Sequence, residues 1–184
     1  MPGRRSGAGS ARCSIERVFV LGIDPGLSRC GYGCVAQEGG RERAVAAGVV
    51  TTDRELSLPE RLATLRHDLR ELVRELSPDV VVVERVFFQT NVRTAMSVGQ
   101  ASGVALLTAS EAGCAIAEYS SNEVKLAVAG YGSATKEQVQ RMVATLLLLE
   151  RPPRPPDAAD ALALALCHIA SSRTARLRVA GGTR

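Results

Sequence analysis

Apolar runs closed by turn residues alternate along this chain with stretches in which leucine or alanine returns every three or four positions, a pattern of strands interleaved with helices. Val18-Phe19-Val20-Leu21-Gly22-Ile23 stops at Asp24-Pro25-Gly26, which predicts a buried strand ending at Asp24. Gly31–Ala36 and Ala44–Thr51 predict two more strands around the turn-rich Glu38-Gly39-Gly40-Arg41, so the first three form a meander. Leu62, Leu65, Leu69, Leu72 and Leu76 then repeat at helical spacing. Ser57 and Glu60 form a capping box ahead of them, Pro59 sits in the first turn, and Ser77-Pro78 ends the pattern.

The next run, Asp79-Val80-Val81-Val82-Val83-Glu84, has β-branched residues without alternation, as expected of a strand covered on both faces. A helix is predicted from Asn91 to about Gly113, with Ala95, Gly99 and Gly103 spaced so that one face is nearly bare backbone. Close packing of that face against the chain's own sheet is the expectation, with contact to a second copy as the alternative. Cys114–Tyr119 predicts a fifth strand, Val124–Val128 a short helix, Gly130–Ser133 a loop and Thr135–Leu149 a helix. The proline-rich Arg151–Pro156 interrupts the chain before a last helix from Asp157 to about Ser171. The order β-β-β-α-β-α-β-α-α-α is that of an α/β protein.

A length of 184 residues, 46% of them hydrophobic, suits one well-buried domain, here expected over 18–172. The arginine-bearing ends, 1–17 and 173–184, are expected to be disordered tails. No apolar run approaches the roughly 18 residues of a membrane span, and the N-terminus has no signal-peptide core, so a cytoplasmic protein without a membrane partner is expected. Five cysteines without a C-x-x-C pair, and only two histidines, predict free thiols and no zinc site.

The net charge of +4 is unevenly placed. The two ends together hold +7, which leaves −3 on the body. A mildly acidic body repels a phosphate backbone unless something neutralises it.

Four carboxylates stand where that something would bind. Asp24 and Glu84 end predicted strands, and Asp157 and Asp160 begin a predicted helix. Strand ends line up along one edge of a helix-covered sheet, and residues three apart on a helix share a face with Cβ atoms about 5–6 Å apart. An oxygen-only donor set of this kind suits a hard divalent cation such as Mg²⁺. Plainer roles exist for three of them: Asp24 as a turn-former, Asp157 and Asp160 as acids at a helix N-terminus. Glu84 fits a plain role least, because a carboxylate following four buried valines is costly unless paired.

Gly22-Ile23-Asp24-Pro25-Gly26, Glu84 with Val86-Phe87, Gly99-Gln100-Ala101-Ser102-Gly103-Val104, Gly130–Lys136 and Asp157–Ala163, in this order and spacing, resemble the RuvC family of bacterial Holliday-junction endonucleases. The resemblance runs from about Val18 to Ser171. It implies an RNase H-like fold, a five-stranded mixed β-sheet flanked by helices on both faces, working as a homodimer. It also implies symmetric, metal-dependent nicking of four-way DNA junctions in recombination and repair, leaving 5′-phosphate and 3′-hydroxyl ends. By position, Asp24, Glu84, Asp157 and Asp160 match the family's catalytic carboxylates, which hold two Mg²⁺ ions, with Mn²⁺ as a substitute.

Lys125 and Lys136 match basic residues that engage the junction, and they are the only lysines among 23 basic residues. Phe87 matches an aromatic that stacks on exposed bases, with Phe88 assisting or merely packing. The branch-migration proteins RuvA and RuvB are implied partners. His168, two turns beyond Asp160, is either an accessory proton carrier or a packing residue. Two other readings share parts of the pattern: a related nuclease of the YqgF type, and a phosphate-loop ATPase of the actin and sugar-kinase class. Length opposes the latter, since nothing after Ser133 supplies a second copy of the sheet.

Overall fold

The expected order of elements is the observed one. The computed structural model describes residues 17–85 and 92–181. Its strands are β1 (Val18–Asp24), β2 (Arg29–Glu38), β3 (Arg41–Thr51), β4 (Val80–Glu84) and β5 (Ala115–Tyr119). Its helices are α1 (Leu58–Leu76), α2 (Val92–Glu111), α3 (Ser121–Ala129), α4 (Lys136–Leu146) and α5 (Pro156–Gly181). The strands form one mixed sheet in the order β3-β2-β1-β4-β5. β1, β2 and β3 pair antiparallel, whereas β4 lies parallel to both β1 and β5.

Each face of the sheet is covered. Leu21, Ile23, Val81 and Val83 point to one side and pack on Leu65, Leu69 and Val73 of α1 and on Ala101, Ala105 and Ala109 of α2. Val20, Val35 and Val82 point to the other and meet Val124 and Val128 of α3, Val139 and Val143 of α4, and the Leu162–Ile169 stretch of α5. The valine run of β4 is thus shared between two cores, which explains its lack of polar alternation.

β2 and β3 are longer than their apolar parts, because Gly39 and Gly40, with φ of 58° and 80°, close a tight hairpin that carries Glu38, Arg41 and Glu42 into the ladder. α3 starts earlier than Val124, at a capping box formed by Ser120 and Glu123. α4 stops short of Leu149, and Leu148 turns to a φ of 53° in solvent.

Two expectations fail. The last helix continues past Ser171 to Gly181, so most of the stretch expected to be a disordered tail is helical. Arg173 is tied down as well, donating from Nη2 to the Gly40 carbonyl and to Glu42 Oε1, each at 3.1 Å. The glycines of α2 do not pack on the sheet either: a Cβ built at Gly99 or Gly103 would meet nothing within 4 Å.

Close approach occurs elsewhere. A Cβ on Gly22 would overlap the Ala161 carbonyl oxygen, one on Gly31 the Asp157 carbonyl oxygen, and one on Gly33 would come within 2.7 Å of Leu162. Bare glycines in β1 and β2 let the alanine-rich face of α5 lie directly on the sheet. Among the described residues, Cys30, Cys34, Cys114 and Cys167 are free thiols, as expected.

Candidate active site

Side chains alternate along a strand, so Asp24 projects to the same face as Val20 and Gly22, and Glu84 to the same face as Val82. That is the α5 face. β1 and β4 run parallel with Ile23 opposite Val83, and Asp24 and Glu84 are the next pair in that register. α5 begins above them, because the glycines beneath it allow its first turn, with Asp157 and Asp160, to reach the strand ends. α1 braces the turn that follows Asp24: Arg61 donates from Nε to Thr52 Oγ1 at 3.0 Å and from Nη2 to Ser28 Oγ at 2.7 Å.

Asp24, Glu84 and Asp160 line one cavity of about 320 Å³ together with Lys125, Lys136, Ser121 and Val124. Burial pushes the Asp24 carboxyl up to about 7, aided by the charges of Glu84, Asp160 and Asp157 and opposed by Lys136. Glu84 is raised too, by burial and by Asp160, against a hydrogen bond with Asp24 and the charges of Lys136 and Lys125. Lys136 Nζ lies 2.5 Å from Asp160 Oδ2. Burial works against its charge, but the hydrogen bond and charge of Asp160, with Asp24 and Asp157 behind them, raise its pKa.

Asp157 stands beside this cavity rather than in its lining. It is held by Arg29, which donates from Nε at 3.0 Å and from Nη2 at 2.7 Å, both to Oδ2. With cations on Asp157 and Asp160, no three His, Cys, Asp or Glu side chains among the described residues converge on one ion. The donor chemistry nonetheless fits a hard dication: all oxygen, with a buried Asp24 whose ionisation is unfavourable until positive charge arrives.

The family described as "Crossover junction endodeoxyribonuclease RuvC" matches residues 20–168 of this chain. The chain belongs to the RuvC family. The RuvC of Syntrophomonas wolfei is 46% identical over 165 residues, 90% of this chain and 96% of that relative. The solved RuvC of Thermus thermophilus is 38% identical, superposes with a TM-score of 0.80, and the match covers 86% of this chain and 97% of that one. The same organism's RuvC in complex with a Holliday junction substrate matches at 37% identity and a TM-score of 0.78, over 85% of this chain and 96% of that one. Membership displaces both the YqgF-type and the phosphate-loop ATPase readings.

Of the residues that the sequence pointed to, five meet in the RuvC-type cavity: Asp24, Glu84, Asp160, Lys125 and Lys136. Asp157 adjoins it, and Phe87 and Phe88 lie outside the described residues. His168 is half-buried. Its Nδ1 is 3.1 Å from the Tyr119 hydroxyl, which joins α5 to the end of β5, and its Nε2 is 3.2 Å from Ser172 Oγ one turn on in the same helix. Burial lowers its pKa, and these contacts suit a packing residue. The sequence reading missed Arg29, which has no periodic or motif signal and matters only because α5 passes over β2.

Proposed function

We propose that this protein resolves Holliday junctions as a homodimer, each subunit making one of two symmetric nicks in a reaction dependent on two Mg²⁺ ions, with Mn²⁺ able to replace them. The observation that carries the reading is that Asp24, Glu84 and Asp160 line one cavity of a RuvC-family fold together with both of the chain's lysines. Asp24, Glu84, Asp157 and Asp160 are the groups that would hold the metal. Bound there, Mg²⁺ supplies a more acidic attacking water and charge neutralisation at the leaving oxygen.

The chain's own residues do the rest. The β1–β4 register fixes Asp24 against Glu84, so two of the carboxylates need little reorganisation. Lys125 and Lys136 present ammonium groups to the scissile phosphate, local positive charge within a body whose net charge stays acidic even with them counted. Water adds to phosphorus and the P–O3′ bond breaks, leaving a 5′-phosphate and a 3′-hydroxyl. Phe87, with Phe88 beside it, is assigned to stacking on bases opened at the crossover.

The exposed stripe of α2 supports the dimer. Met96, Gly99, Gly103 and Leu107 recur at helical spacing on its outer side, with Met96 59% and Leu107 51% exposed. Two bare glycines between two apolar side chains suit a two-fold helix contact, and a two-fold dimer matches two strands cut symmetrically. RuvA and RuvB are the branch-migration partners this reading implies, and the cytoplasm its setting. Among the described residues no helix is long and apolar enough to cross a membrane.

The test is cleavage of a synthetic four-way junction against linear duplex, with Mg²⁺ and with EDTA, beside Asp24→Asn. The expected result is paired nicks in the junction only, with metal only, and a variant that binds without cutting. Wild-type cleavage by Asp24→Asn would sink the metal role.

A further inference from the structure

Arg29 opens β2 and lies on the same face as Gly31 and Gly33, the residues over which α5 passes. It is therefore the side chain that β2 presents to the N-terminal turn of α5. There it takes hold of Asp157 with two donors on a single oxygen, Nε at 3.0 Å and Nη2 at 2.7 Å from Oδ2. The pair is partly open to water, with side-chain exposures of 47% and 28%. Asp160, one turn on, faces the cavity, whereas Asp157 does not line it.

We propose that Arg29 is an internal counter-cation that holds Asp157 aside and competes with the divalent metal for it. A guanidinium on Oδ2 and a dication beside the same carboxylate are mutually repulsive, so each weakens the other's hold on Asp157. An exposed ion pair of this kind is weak enough to exchange and strong enough to be felt. Arg29 acts through Asp157 and is a positioning residue, not a catalytic one. Metal occupancy and release of Asp157 are then one coupled equilibrium, so Asp157 completes the site only when the ion is present.

The inference rests on the metal site proposed above, and Mn²⁺ titration without DNA tests it independently of cleavage. Free Mn²⁺ is followed by electron paramagnetic resonance for the full-length wild type, Arg29→Gln, Arg29→Lys, Asp157→Asn and the Arg29→Gln/Asp157→Asn double variant, with thermal melts to confirm folding. Competition predicts that Arg29→Gln binds Mn²⁺ about 2–5-fold more tightly than wild type. It also predicts that the same substitution changes nothing in the Asp157→Asn background, and that Arg29→Lys falls between wild type and Arg29→Gln. Equal or weaker binding by Arg29→Gln, or an equal gain without Asp157, overturns the proposal while leaving the metal site standing. Absence of Mn²⁺ binding by the wild type overturns both.

Discussion

Gly31 of β2 lies so directly under Asp157 that a single methyl group on it would overlap the Asp157 carbonyl oxygen. The placement of half the carboxylates in this site thus depends on what β2 lacks. Gly22 and Gly33 extend the same bare track beneath Ala161 and Leu162.

Gly31→Ala and Gly22→Ala should each lower the free energy of unfolding by about 1–3 kcal/mol, since the added carbon meets backbone rather than a movable side chain. Cleavage should fall further than stability explains, because lifting α5 displaces Asp157 and Asp160 from the strand ends. Urea denaturation and single-turnover cleavage check the two effects. Gly99→Ala, in open space on α2, should leave the monomer's stability unchanged or raise it by up to about 1 kcal/mol.

The pH dependence of stability follows from Asp24, raised in the folded chain from 3.8 to about 7. Between those values the folded protein keeps a proton that the unfolded chain has released, so stability falls as pH rises through this window. The full loss, present above about pH 7, is at most about 4 kcal/mol. Asp24→Asn lacks it. In EDTA the variant should therefore match wild type near pH 4 and exceed it at pH 8, and saturating Mg²⁺ should remove the advantage. Denaturation curves showing equal stability at pH 8 in EDTA would contradict the account.

Lys136→Ala removes the pair with Asp160 and the charge that holds Asp24 down. Single-turnover cleavage should fall by about 10²-fold or more, the scale seen when one oriented electrostatic group is lost. The pH–rate profile should also move to higher pH, because Asp24 then ionises later. Lys136→Arg should recover only part of the rate, since a planar guanidinium does not replace a compact ammonium against one carboxylate oxygen.

Leu107→Glu places a charge on an exposed position of α2, so the fold should survive. Sedimentation should show dimer giving way to monomer, and junction cleavage should change from paired nicks to none or to single uncoordinated ones. A variant that stays dimeric would move the interface away from this helix face.

Much of this protein was legible in the order of its residues. The leucines of α1, the unbroken valines of β4 and the stop at Asp24-Pro25-Gly26 are local patterns with local causes, and each became the element it indicated. Asp24 and Glu84 were readable as candidate site residues because a carboxylate after a buried run needs a compensating charge wherever the run ends up. The meaning of the glycines was not readable. Gly99 and Gly103 stand at helical spacing yet face open space, whereas Gly22, Gly31 and Gly33, plain residues of two strands, carry a helix from more than 120 positions away.

The sequence by itself thus determined the elements, their order and which carboxylates end them, since periodicity, turns and caps act within a few residues. Only the tertiary structure decided how α5 seats on β1 and β2, and therefore that Asp160 enters the cavity while Arg29 holds Asp157 beside it. Of those relations, the Arg29–Asp157 pair joins residues 128 positions apart. They are set by steric contact and charge across the fold, of which no stretch of neighbouring residues keeps a trace.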